Sequence, residues 1–155
     1  MTDPLNGSCF CKGVRYQVDS LDMPISHCHC DSCRKVHAAA FVATAGVMRK
    51  HFRWTQGEDL LSSFESSPGK HRHFCSRCGS HLIAEREFQP HVIVRVATLD
   101  DDPDVRPTSH IWTAHDVPWL TYEGVEQWGE WKTLFVRRAG RLLSCSGSLI
   151  AASGG

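Results

Sequence analysis

Short alternations of apolar and polar residues run along most of the chain. In "GVRYQVD", Val14, Tyr16 and Val18 alternate with polar neighbours, the period that turns one set of side chains to the interior of a sheet and the other to solvent. The segments "AFVATAGVM", "FRWTQ", "LLSSFES", "HLIAERE" and "HVIVRVATL" are likewise short, rich in β-branched or aromatic residues, and bounded by glycine, proline or acidic turns. The pattern predicts a mainly β fold. One stretch departs from it: "DSCRKVHAAAF" suits a helical turn or two, with Asp31 as N-cap. "LDDDPDVRP", from Leu99 to Pro107, reads as a loop by its acidic and proline content. The segment "HIWTAHDVPWL" beyond it is extended and aromatic, with Trp112 and Trp119 flanking His115 as core or pocket wall.

A chain of 155 residues fits one domain with a core large enough to dispense with disulfide staples. Residues 1–136 are expected to form it. The remaining residues, 137–155, read "RRAGRLLSCSGSLIAASGG"; they lack aromatic residues and periodicity, and are expected to be a flexible or non-native tail. Lysine plus arginine equals aspartate plus glutamate, 17 each, which removes the broad basic field that would draw the whole protein onto nucleic acid or an anionic membrane. No signal-peptide pattern opens the sequence, and nowhere do about 18 apolar residues run together. A cytoplasmic location without a membrane partner is the expectation.

That location bears on the eight cysteines. In a reducing compartment, closely spaced pairs are metal ligands or redox groups more often than disulfides. The spacings are Cys9-x-Cys11, Cys28-x-Cys30-x-x-Cys33 and Cys75-x-x-Cys78, with Cys145 alone in the tail. Strand periodicity places Cys9 and Cys11 on one face with Phe10 on the other, and does the same for Cys28 and Cys30. The "FCSRCGSH" segment has the form of a zinc knuckle in which Gly79 permits the chain reversal. Seven clustered cysteines exceed one tetrahedral set by three. Several partitions are possible on paper. The triplet is local enough to hold an ion by itself, which leaves the two pairs to complete each other as a closed structural site and gives the triplet an open fourth position. A histidine could also close the triplet, with His27, His29, His37 and His81 as candidates.

The segments "NGSCFCKGVRYQV", "SHCHCDSCRKVHAAAF", "RHFCSRCGSHLI" and "VATLDDDPDVRPTSHIWTAHDVPWL" resemble, in order and spacing, the family of glutathione-dependent formaldehyde-activating enzymes and centromere protein V. The resemblance covers most of residues 6–120. It implies a β-tent fold of small antiparallel sheets stapled by zinc. Two ions are implied, one structural on Cys9, Cys11, Cys75 and Cys78, the other on Cys28, Cys30 and Cys33. The family's founding activity is the condensation of formaldehyde with glutathione to S-hydroxymethylglutathione, formally a carbon–sulfur lyase reaction.

Three thiolates leave a zinc site electron-rich and better suited to a thiol as fourth ligand than to hydroxide. The expected function is therefore reversible addition of glutathione or a related thiol to a small aldehyde. His81 and His37 are the candidate acid–base groups, each a few residues from a cysteine of the clusters. Arg34 and Lys35 are the candidates to meet the carboxylates of a tripeptide thiol. The alternative expectation is a non-catalytic, zinc-stabilised module that binds another macromolecule.

Overall fold

The alternating segments form two sheets. In the computed structural model, which describes residues 3–121 and the backbone of one short strand pair beyond them, β1 (Leu5–Ser8), β2 (Arg15–Val18) and β5 (Phe52–Gln56) make a three-stranded antiparallel sheet in the order β1-β2-β5. The larger sheet has seven strands. It contains β3 (Ser26–Cys28), β4 (Val42–Met48), β6 (Leu61–Ser67), β7 (Lys70–Cys75), β8 (His81–Arg86), β9 (His91–Arg95) and β10 (Ser109–Ile111), in the order β10-β3-β4-β9-β8-β7-β6. The chain divides into Met1–Leu120 and Thr121–Gly155. In the second unit, the backbone of Arg137–Arg138 (β11) pairs with that of Arg141–Leu142 (β12). Cys145 and the rest of the expected tail lie outside the described residues.

Each apolar segment of the sequence contains a strand, and the departures have local causes. The alternation of "HVIVRVATL" stops at Arg95, where a 3-10 turn over Val96–Thr98 takes over. β7 escapes the pattern because the first four residues of "KHRHFC" are all cations or imidazoles, yet it is central between β6 and β8. β10 joins β3 in parallel, so the larger sheet is not wholly antiparallel. The helix α1 spans Asp31–His37, but its N-cap is Cys30, whose sulfur accepts from the Cys33 N–H at 3.4 Å; Asp31 sits one position inside and pairs with Arg34. A thiol in the N-cap position does the work expected of a carboxylate.

One core fills the space between the sheets. Tyr16 and Val18 of the first, with Val14 just ahead of β2, pack with Val47, Leu82, Ile83, Val92 and Val94 of the second, together with Cys9 and Cys75. Tyr16 is fully buried; its hydroxyl meets Thr98 Oγ1 at 2.7 Å, and burial pushes its pKa up. The phenol occupies the space above Gly7, where a Cβ would stand 2.1 Å from Cζ of the ring. Trp112 and Trp119, by contrast, are 59% and 69% exposed and contribute nothing to this core.

Gly7→Ala should therefore force either the ring or β1 to move. A loss of about 1–3 kcal/mol is expected, the usual range for an overpacked site, and urea unfolding of the variant against wild type measures it.

Candidate metal centres and the cavity beside them

β1 ends at Ser8, and the chain turns at once. Lys12 N–H donates to the Cys9 carbonyl at 2.9 Å, Lys12 takes φ 59°, and Cys9 N–H returns to the Val14 carbonyl at 3.1 Å. Cys9 and Cys11 thus converge through a tight turn rather than through strand alternation, and Phe10 is left 86% exposed at its tip. The second knuckle closes the β7–β8 hairpin: Gly79 N–H donates to the Cys75 carbonyl at 2.8 Å with φ 75° at Gly79, and Cys75 N–H donates to the Ser80 carbonyl at 3.0 Å. A left-handed residue is needed there, and glycine supplies it without a Cβ penalty. Phe10 N–H donates to Ser80 Oγ at 3.0 Å, bringing the two turns together.

The result is a four-sulfur group. The sulfurs of Cys9, Cys11, Cys75 and Cys78 all lie within 4.8 Å of one another, with Cys9 to Cys11 at 3.5 Å and Cys11 to Cys75 at 3.8 Å. Four sulfurs about 2.3 Å from a shared tetrahedral ion would stand roughly 3.8 Å apart, so the arrangement fits a closed four-thiolate site. None of these cysteines is in a disulfide.

The triplet is built at the junction of β3 and α1. Cys28 is the last residue of β3, Cys30 caps the helix, and Cys33 lies one turn along it. Their sulfurs again fall within 4.8 Å of each other, with Cys28 to Cys30 at 3.6 Å. Among the described residues no histidine nitrogen joins this group. His29, between the first two cysteines, is buried and engaged elsewhere: Nε2 meets His110 Nδ1 at 2.8 Å and Nδ1 pairs with Asp116. His27 stacks on Phe41 at 4.5 Å between centroids. His37 and His81 face each other, with ring centroids 4.9 Å apart. Three sulfurs without a fourth protein ligand leave one position of a tetrahedron open.

The surroundings of the triplet are cationic. Arg72, from β7, aims both terminal nitrogens at Cys33 Sγ, at 3.9 and 4.0 Å, and Arg95, from β9, is buried beside the same group. Hydrogen bonding from Cys28, aided by Cys30 and by the Arg95 and Arg72 charges, overcomes burial and brings the Cys33 thiol down to about 5; the same Cys33 contact, with burial, pushes Cys28 up. Burial first, then Arg95, His81 and Arg72, holds His37 down to about 3, and His81 is lowered for the same reasons of burial and neighbouring guanidinium charge.

A cavity of about 320 Å³ opens beside Cys28 and Cys30. Lys70, Arg72 and Arg86 supply its charge, Ser66 and Ser67 its small polar groups, and Trp112 and His115 a wall. Its acid, Asp31, is already paired with Arg34 and stands 3.7 Å from His115 Nδ1. Arg34 and Lys35 do not line this cavity: Arg34 donates to the His29 carbonyl at 3.0 Å and to Asp31, and Lys35 is exposed on the helix. Nor do His37 and His81 line it. The residues that do, Lys70, Arg72 and Arg86, come from β7 and β8, about 40 residues or more along the chain from the triplet, and nothing in the local sequence links them to it. A larger cavity of about 640 Å³, beside Met23 and Val105, has no cysteine or histidine in its lining.

With this geometry, the model of one family matches residues 4–115, described as glutathione-dependent formaldehyde-activating enzyme. The chain belongs to that family. A protein of Halomonas elongata named for glutathione-dependent formaldehyde activation is 31% identical over 137 residues, covering 79% of this chain and 83% of the relative. A protein of Schizosaccharomyces pombe named as an uncharacterized lyase is 28% identical over 76 residues, 49% of this chain and 53% of that one. The crystal structure of a Rhodobacter sphaeroides protein shares the fold, with a TM-score of 0.56 and 22% identity over 68% of this chain and 98% of that one. Membership in a family named for an enzyme supports an enzymatic role. Among the described residues, no helix is long and apolar enough to cross a membrane.

Two outcomes test the site as described. Cys75→Ser should cost folding itself, because it opens the closed group that joins the sheets, whereas Cys30→Ser should leave thermal unfolding near that of wild type; metal analysis should find one ion fewer in the latter. His37, with its pKa near 3, is neutral when folded, and an unfolded imidazole near 6.5 takes up the proton first. Its stabilising effect is thus full above pH 6.5 and lost as pH falls toward 3. The ring NMR signals of His37 should stay those of neutral imidazole from pH 7 down to pH 5, and a midpoint near 6.5 would refute this environment.

Proposed function

We propose that the chain is a zinc-dependent carbon–sulfur lyase-type enzyme that adds glutathione reversibly to formaldehyde or a similarly small aldehyde at the Cys28, Cys30 and Cys33 site. The observation that carries this reading is the pairing of a three-sulfur group lacking a fourth protein ligand with a cationic cavity beside it. The four-cysteine group is structural in this reading. Zinc on the triplet would supply a position where a thiol is held as thiolate at neutral pH.

The chain's own residues then have distinct tasks. Lys70 and Arg86 bind the carboxylates of the tripeptide and orient its sulfur toward the triplet; Arg86 is itself held by the Pro68 carbonyl at 3.0 Å and Ser67 Oγ at 3.4 Å. A guanidinium braced by two partners loses little freedom when it takes a third. Trp112 supplies an apolar part of the cavity wall beside the reacting groups. In the addition, the sulfur–carbon bond forms as the carbonyl π bond breaks, and the carbonyl oxygen takes a proton. His115, in the cavity wall, is placed to carry that proton. Burial and the nearby guanidiniums keep His37 and His81 uncharged, which removes them as proton donors near neutrality.

Formation of S-hydroxymethylglutathione followed by NMR tests the reading. Cys30→Ser should abolish enzyme-dependent turnover in a folded protein. Lys70→Gln and Arg86→Gln should each raise the KM for glutathione by about tenfold, the scale of one lost charge-assisted contact, with less effect on kcat. A folded, metal-loaded protein that neither binds glutathione nor turns over would point instead to a non-catalytic binding module.

A further inference from the structure

Two arginines inside the fold have no carboxylate to answer them. Arg72 and Arg95 are 1% and 4% exposed, and among the described residues neither lies within ion-pair distance of an aspartate or glutamate. The Nε of each is buried without a hydrogen-bond partner. A buried guanidinium is costly unless an opposite charge faces it. The groups facing these two are the sulfurs of the triplet, Cys33 Sγ at 3.9 and 4.0 Å from Arg72, with Cys28, Cys30 and Cys33 all acting electrostatically on Arg95. Their other titratable neighbours, His37, His81 and Lys70, are neutral or cationic and add no negative charge.

We propose that Arg72 and Arg95 are the fixed counter-charge of the triplet site and set the charge of the ligand it accepts, making it select an anion over a neutral donor. The inference rests on the reading that the triplet holds a divalent ion. Three thiolates on such an ion leave one negative charge, which by itself would repel an anionic fourth ligand. Two buried guanidiniums reverse that sign, so the ion, its three thiolates and the two arginines together carry one positive charge until an anion enters and neutralises it, while Lys70 and Arg86 in the cavity beside them add to the attraction. A thiolate satisfies the requirement; an amine, an imidazole or a thioether does not. Screening by water is weak at this depth, so the effect on affinity is larger than surface charges would give. Both residues are positioning and specificity residues here, since they act through the metal ligands. Their place on β7 and β9 rather than on a loop fixes the charge rigidly.

The test uses the full chain loaded with cobalt(II), whose visible bands report the fourth ligand of the triplet. Thiocyanate and imidazole serve as the anionic and neutral probes, each titrated into the protein and onto aqueous cobalt. The thiocyanate-to-imidazole affinity ratio should be at least about tenfold higher in the protein than on aqueous cobalt, and this arm needs no variant. Arg95→Gln and Arg72→Gln should lower the ratio about tenfold or more, while Arg95→Lys should keep it within about threefold of wild type. A protein ratio at or below the aqueous one overturns the proposal, as does an unchanged ratio in a folded glutamine variant. The outcomes separate from those of the proposed function. If thiocyanate shows the expected preference but glutathione leaves the bands unmoved, the charge assignment stands and the thiol reading falls.

Discussion

The convergence of two turns at one four-sulfur group is the constraint on which the rest of the molecule depends. One turn leaves β1 in the three-stranded sheet and the other caps the β7–β8 hairpin of the seven-stranded sheet, so the group ties the two sheets at a single point. Cys9 and Cys75 are also members of the core that fills the space between those sheets. Ligand geometry and hydrophobic packing therefore act on the same residues. A small β domain with short strands, many of them three to five residues long, has little local structure to hold it, and most of its pairings are long-range. An ion held by this group would cross-link more than 60 residues of chain and so limit the unfolded chain as well as the folded one.

The two cysteine groups differ in what surrounds them, and that difference separates structure from chemistry. The first is completed by four protein sulfurs and steadied by backbone donors such as Val14 N–H to Cys9 Sγ at 3.2 Å. The second has three sulfurs, two buried guanidiniums behind it and a cationic cavity in front. Closed sites resist exchange, whereas a site with an unfilled position and directed charge accepts a ligand. The histidine-rich composition around the triplet is a distraction in this respect. His27 and His29 join Phe41 and His110 in an aromatic group, and His37 and His81 form a pair of their own.

Some of this was legible in the sequence for clear physical reasons. Strand alternation marked β2, β4, β5, β6, β8 and β9, because a half-buried strand must repeat every two residues. Cysteine spacing marked the triplet and the two pairs, because sulfurs two or three residues apart can converge through a local turn; the meeting of the two pairs, more than 60 residues apart, was implied by the family resemblance and not by spacing. The short strands β3 and β10 carry too few residues to show a period. β7 was hidden because the buried side chain at its centre is an arginine, Arg72, a residue that reads as solvent-facing unless its counter-charge is known. The helix cap was misplaced by one residue, since a cysteine thiol took a role for which aspartate has the stronger preference.

The sequence by itself determined the class of fold through strand periodicity, the family through its ordered motifs, and the local cysteine pairs and triplet through their spacing; that the two pairs meet in one four-sulfur group is a matter of tertiary structure. Only the tertiary structure decided which charges face the open triplet. Lys70, Arg72, Arg86 and Arg95 reach it from three strands of the larger sheet's path, two of them side by side in β7 and β8, whereas Arg34 and Lys35, adjacent in sequence, point to the helix surface and its start. Electrostatic environment depends on distances through space and on exclusion of water, and neither quantity is written in the order of residues along the chain.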